Sequence, residues 1–237
     1  MIASAHRFLG VGLYTTSEAA FYARLRTQTL SRWLFGDKRG EPALDPQLGR
    51  SGEKLVTFLD FVQALAVRSI RTAFDVPLPA IRQGVEFAKR QYGIDYPFAT
   101  KHRTFLFGDL ANAPHKAKVV INLGDEINKE LVVASGHDAG NRLITEVAEL
   151  FMLDLYFGDD RLAKQFSPIR IGSLEVRMDP HTHFGEPYLP SCGYSVRTLY
   201  DAYTIEGGTE LAAKAYGVTQ DEINLALKYY DHLKAPT

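Results

Sequence analysis

Residues 178–196, MDPHTHFGEPYLPSCGYSV, gather an acid, two histidines and the single cysteine of the chain within 14 positions. Carboxylate and imidazole are metal donors, and a thiol beside an imidazole is the start of a nucleophile–base pair. Asp179, His181 and His183 alternate, so a continuous strand would aim all three to one side. Pro180, Gly185 and Pro187 argue for a turn instead. His102, His115 and His137 stand alone in other segments, and no distant His/Cys cluster offers to complete a metal shell. For Cys192 the base nearest in sequence is His183, and a lone cysteine ahead of a helix is ordinarily a small packed residue. The stretch therefore predicts no catalytic group, no metal and no other cofactor. Asp179 is placed to cap a turn, Gly185 and Gly193 take backbone shapes that side chains forbid, and His181 and His183 are exposed loop residues. A metal- or thiol-dependent enzyme centred here remains the remote alternative.

The elements around this turn set its context. Three helical stretches follow it, at 194–206, 209–217 and 219–234, and 170–178 reads as a strand leading in. At the other end, TSEAAFYARLRTQTLSRWL (16–34) reads as two short helices broken near Arg24–Arg26, with Ser17 and Thr27 as caps. Residues 35–54 form a loop or hairpin, 55–74 an apolar helix, and 80–93 a helix ending on a glycine. Short β-rich runs occupy 103–110, 116–123 and 130–135, with a loop at 136–142. LITEVAELFMLDLYF (143–157) is a helix with a wide apolar face, or a buried strand–helix element, and is apolar enough to pack against a second copy. The expected fold is α+β, mainly α with a small β component. Its domains are an N-terminal helix-turn-helix (1–98), a middle short-stranded region (99–172) and a C-terminal three-helix module of helix-turn-helix type (173–237).

Both ends fit helix-turn-helix spacing, and charge separates them. In the first, the buried slots fall on Ala19, Ala23, Leu25, Leu30 and Trp33, with Ala20 at the close crossing and Arg24 where a turn glycine is usual. No acid occurs from Ala19 to Gly36. The second helix offers Thr27, Gln28, Ser31 and Arg32, approached by Arg24 and Arg26, as donors for base edges and cations for phosphates. These six residues are the candidate DNA-binding set; the plainer reading is an amphipathic hairpin whose arginines face water. A second basic pair, 64–74 and 80–92, carries Arg68, Arg71, Arg82, Lys89 and Arg90, and reads as a supporting core pair with a solvated face. In the C-terminal candidate, Ala213 takes the crossing, Gly217 the turn, and Val218, Ile223 and Ala226 the buried slots. Its would-be reading helix opens on Gln220, Asp221 and Glu222, which phosphate would repel, so protein contacts suit it better.

The whole chain agrees with two different partners. Net charge is −1, yet residues 1–103 hold 15 Lys and Arg against 9 Asp and Glu, while 104–237 hold 12 against 19. Such a split suggests a basic half facing a polyanion and an acidic half facing something basic. Hydrophobic residues at 46% are ordinary for a globular protein with a core, and no apolar run is long enough to span a bilayer. The first residues carry no export pattern, and one cysteine suits a reducing compartment, so a cytoplasmic protein is expected.

The stretch LEVRMDPHTHFGEPYLPSCGYSVRTLYDAYTIEGGTELAAKAYGVTQDEINLALKYYDHL resembles a small bacterial family of domains of unknown function. The shared marks are Asp179-Pro180, Gly185-Glu186-Pro187, Gly193 and Val196, then Ala213, Tyr216 and Gly217. The chain departs from the family at Glu186, where a basic residue is frequent, and at Ser191-Cys192, where a Gly-Thr type turn is usual. Members are commonly encoded beside small PIN-like ribonucleases, and with the N-terminal segment the arrangement looks like a large VapB-type antitoxin. YTTSEAAFYARLRTQTLSRWL and FLDFVQALAVRSIRTAF are similar, more weakly, to MerR-like winged helix domains. The resemblance implies a repressor of its own operon, bound to double-stranded operator DNA, that also binds and silences a ribonuclease toxin. A homodimer is expected, because helix-turn-helix proteins usually read palindromes in pairs. The alternative is a MerR-like ligand-sensing transcriptional regulator, with residues 96–172 enclosing a small-molecule pocket.

Overall fold

The computed structural model describes residues 11–38, 40–49, 52–101, 103–107, 118–122, 143–144 and 154–235. Among them are seven α-helices: α1 (Thr16–Tyr22), α2 (Thr27–Phe35), α3 (Phe58–Phe74), α4 (Leu78–Tyr92), α5 (Val196–Glu206), α6 (Thr209–Tyr216) and α7 (Gln220–Lys234). The strands are β1 (Leu13–Thr15), β2 (Leu55–Thr57), β3 (Arg103–Phe107), β4 (Lys118–Asn122), β5 (Leu143–Ile144), β6 (Leu155–Phe157), β7 (Ala163–Ile171) and β8 (Leu174–Met178). The fold is α+β, as its mainly helical pattern with short β runs predicts. The chain divides into two compact units, one of residues 15–163 and one of 164–237 with the N-terminal 14 residues.

In the first unit, α1 begins where Thr15 and Glu18 form a reciprocal capping box, not at Ser17. Thr27 is the first residue of α2, whose N-cap is Arg26 with no side-chain bond. The stretch from residue 55 is not helical throughout. Thr57 and Asp60 form a second capping box, which starts α3 at Phe58 and leaves Leu55–Thr57 extended as β2. α3 is the core helix, burying Phe58, Phe61, Val62, Ala64, Leu65, Ala66, Val67 and Ile70. Asp75, left-handed at φ 50°, ends it, and α4 runs to a left-handed Gly93. β3 pairs antiparallel with β4 on one side, Arg103 opposite Asn122, and with β5 on the other, Leu106 opposite Ile144. The ends of the apolar stretch 143–157 are thus strand, while 145–153, the predicted strand at 130–135 and the loop at 136–142 lie outside the described residues.

The second unit opens on a hairpin. The predicted strand at 170–178 is two strands, because Gly172 at φ 60° turns the chain between β7 and β8, which pair with Ile171 opposite Leu174. The segment after β8 folds back along it. Arg177 and Tyr188 exchange both backbone bonds, at 2.8 and 2.9 Å, and Leu189 N donates to Tyr194 O at 3.0 Å. The three helices then follow as expected, α5 against both α6 and α7, with Leu199, Ala202, Ala212, Ile223, Leu225 and Ala226 buried between them.

Candidate nucleic-acid interface and the 178–196 turn

α1 and α2 can approach closely because Ala19, Ala20 and Ala23, each fully buried, present only a methyl group. The connecting turn is held by Ala23 N to Ala19 O (2.9 Å) and Leu25 N to Ala20 O (2.8 Å). Arg24 lies between them at φ 49°, the left-handed shape that costs a non-glycine residue about 1 kcal/mol. Leu30, Trp33 and Leu34 form the buried stripe of α2. Trp33 O accepts both Ala43 N (2.8 Å) and Leu44 N (3.0 Å), so the following loop folds back and satisfies a helix-end carbonyl.

The residues opposite that stripe are Thr27, Gln28, Ser31 and Arg32, which recur at i, i+1, i+4 and i+5 and so share one face. Arg26, Thr27, Gln28 and Arg32 are exposed; Ser31 and Arg24 are half-buried. The six candidates fall into three places. Four occupy the outward face of α2, Arg26 stands at its N-cap, and Arg24 stays in the turn. Arg24 also lies close enough to Arg68 of α3 to act on it electrostatically: burial first, and the Arg24 charge second, push the Arg68 guanidinium down from its usual value. Sequence reasoning did not connect those two arginines, because the contact spans 44 positions and depends on how α3 packs.

The 178–196 turn does not assemble a chemical site. Asp179 is buried and used structurally, its Oδ1 accepting His181 N (2.8 Å) and its Oδ2 accepting Gln165 Nε2 (2.7 Å). It caps a turn, as its position before Pro180 predicts. His181 points to solvent, with Nδ1 3.4 Å from Asp179 Oδ1. His183 turns away from both, its Nε2 donating to Gly193 O (2.8 Å) and its ring against Tyr188. Cys192 Sγ lies 3.9 Å from Leu189 O, and burial, with the Glu222 charge adding, pushes its thiol up, away from the reactive thiolate. Among the described residues no group of three or more His, Cys, Asp or Glu could hold a metal ion, and His102, His115 and His137 lie outside them. Gly185 shows what the turn is built for. At φ 93° it lets Tyr14 donate to its carbonyl at 2.8 Å, and a Cβ there would sit 2.2 Å from the Tyr14 hydroxyl oxygen.

In the C-terminal helix pair the small and apolar residues named from spacing are largely buried. Ala213, Ile223 and Ala226 are buried, Val218 is half-buried, and Gly217 at φ 66° makes the turn. Burial would raise the Glu222 carboxyl, but hydrogen bonds from Ser191 and Thr219 outweigh it and hold Glu222 below the usual range. A carboxylate therefore stands in the first turn of α7, beside exposed Asp221. Two strongly exposed apolar residues, Ile205 at 76% and Leu211 at 55%, lie at the α5–α6 corner, and a third, Phe184 at 71%, lies in the 178–196 turn. No cation occurs between Arg197 and Lys214, while Asp201, Glu206 and Glu210 are exposed there.

No family model matches the chain. It is 25% identical over 233 residues to a Mycobacterium tuberculosis protein named "Putative antitoxin VapB45", covering 92% of this chain and 93% of that one. The X-ray crystal structure of Rv2018 from Mycobacterium tuberculosis has the same fold, with a TM-score of 0.60 at 20% identity over 92% of this chain and 99% of that one. Among the described residues no helix is long and apolar enough to cross a membrane.

Proposed function

We propose that this chain is an antitoxin, a regulator and not an enzyme, that binds and neutralises a PIN-like ribonuclease and represses its own operon by binding operator DNA. The observation that carries the reading is near full-length similarity to a protein named as an antitoxin. Two features support its finer parts. The outward face of α2 carries Thr27, Gln28, Ser31 and Arg32 with Arg26 at its start and no acid from Ala19 to Gly36, which suits base edges and phosphates. The α5–α6 corner exposes Ile205 and Leu211 among three carboxylates, which suits a basic, partly apolar surface on a protein partner. The active form in this reading is a homodimer, two copies of α2 reading two half-sites.

The test is co-expression of the chain with the ribonuclease encoded beside it. The expected product is a complex without ribonuclease activity that shifts DNA from upstream of the operon. Arg26→Glu abolishes the DNA shift and leaves the complex intact. A chain that neither binds nor silences the ribonuclease refutes the antitoxin reading, and DNA binding indifferent to Arg26→Glu refutes the α2 assignment.

A further inference from the structure

Within the unit of residues 15–163, an open cleft of about 670 Å³ lies between the end of α2, the loop at 37–41, the end of α3 and the start of α4. Arg32 of α2, Arg71 of α3 and Arg82 of α4 all line it. Arg71 Nη1 donates to Val76 O (3.0 Å), and Arg82 donates from Nε to Pro42 O (2.7 Å) and from Nη2 to Glu41 O. Those acceptors are neutral carbonyls, so they hold two guanidiniums in place without cancelling their charge. Asp37, Glu41 and Asp75 line the same cleft. With three arginines and three carboxylates the lining is balanced in formal charge, so what singles out the cleft is the fixed orientation of two guanidinium forks beside a third.

We propose that this cleft seats the phosphate of a nucleotide. The planar fork of a guanidinium matches phosphate oxygens in pairs, and here two forks are already oriented by carbonyls. The 15-residue α4 begins in the cleft at Leu78, whose N–H is the one donor of its Pro77-Leu78-Pro79 start, and no side chain caps it. The carboxylates suit the rest of a nucleotide, since they accept from sugar hydroxyls and from the amino groups of bases. Two sources offer that chemistry: the DNA backbone and a free nucleotide. Arg32 belongs to both the cleft and the outward face of α2, so the DNA form rests on the operator reading and extends the contact to Arg71 and Arg82.

The experiment uses the full chain as wild type, Arg71→Gln and Arg32→Gln. Arg32 is exposed and makes no side-chain bond among the described residues, so its loss leaves folding intact even where Arg71→Gln disturbs it. Affinity for duplex DNA from upstream of its operon is measured across 50–200 mM salt, and melting temperature is measured with inorganic phosphate and with adenosine monophosphate. With backbone phosphate as occupant, Arg71→Gln weakens binding alike on any sequence and lowers the salt slope by about 1, whereas the same loss in Arg32→Gln follows from the α2 face alone, so in this arm Arg71 decides. With a free nucleotide as occupant, the Arg71→Gln slope stays equal to wild type, while phosphate and adenosine monophosphate raise the wild-type melting temperature and not that of the variants. Arg71→Gln indistinguishable from wild type in both arms overturns the proposal. A wild-type chain that binds no DNA sinks the operator reading alone, because the melting arm still reports on the cleft.

Discussion

Asp60 ties a stability measurement to a single proton. It is fully buried in the first turn of α3, where its carboxylate accepts Thr57 N (3.1 Å) and Gln47 N (3.0 and 3.3 Å). Burial raises its pKa more than those amides lower it, the Asp45 charge raises it further, and it titrates at about 6 against an ordinary 3.8. The folded chain therefore holds this proton more tightly than the unfolded one. Its stabilising effect is complete below about 3.8 and is lost as pH rises through about 6. The difference corresponds to about 3 kcal/mol between the two limits. Asp60→Asn removes the titration. It keeps one acceptor oxygen and puts an NH2 where the second was, which costs about 1–2 kcal/mol of hydrogen bonding at every pH. Urea unfolding of both proteins at steps from pH 4 to 8 tests this. Wild type should exceed the variant by about 2 kcal/mol more at pH 4.5 than at pH 7.5, the excess falling steadily as pH rises from about 4 and being nearly gone just above 6. Parallel stability curves across that range would refute the argument that burial governs this carboxyl.

Two further substitutions follow from single atoms. Gly185→Ala places a Cβ 2.2 Å from the Tyr14 hydroxyl oxygen at φ 93°, so thermal unfolding should show a loss of about 2–4 kcal/mol. Tyr14→Phe, losing the 2.8 Å bond to Gly185 O without the clash, should cost about 1 kcal/mol. Gln63 is buried in α3 with no partner for either amide atom among the described residues, so Gln63→Met should raise stability by about 1–2 kcal/mol in a denaturant titration.

Local chemistry was readable in the sequence wherever one residue type dictates one backbone shape. Gly93 and Gly217 end their helices, the break near Arg24 separates α1 from α2, and Asp179 caps its turn. Boundaries that depend on a pair of residues were misplaced. Thr15 outcompetes Ser17 because Glu18 can bond back to it, and Thr57 with Asp60 splits an apolar run that periodicity alone reads as one helix. The turn at Gly172 was hidden because a strand interrupted by two residues keeps its composition. At the candidate interface, the outward face of α2 followed from spacing. The cleft formed with Arg71 and Arg82 did not, because it depends on where three helices and a loop converge, which no local window records.

Arg24 gives the first helix pair an evolutionary marker. The backbone at that turn favours glycine, and mutation toward glycine or asparagine is downhill for the fold. An arginine maintained there across orthologues would then measure selection on its charge, separate from selection on folding. A lineage that drifts to glycine at this position while keeping Ala19, Ala20 and Ala23 would be one that retains the scaffold after its cationic turn has fallen out of use.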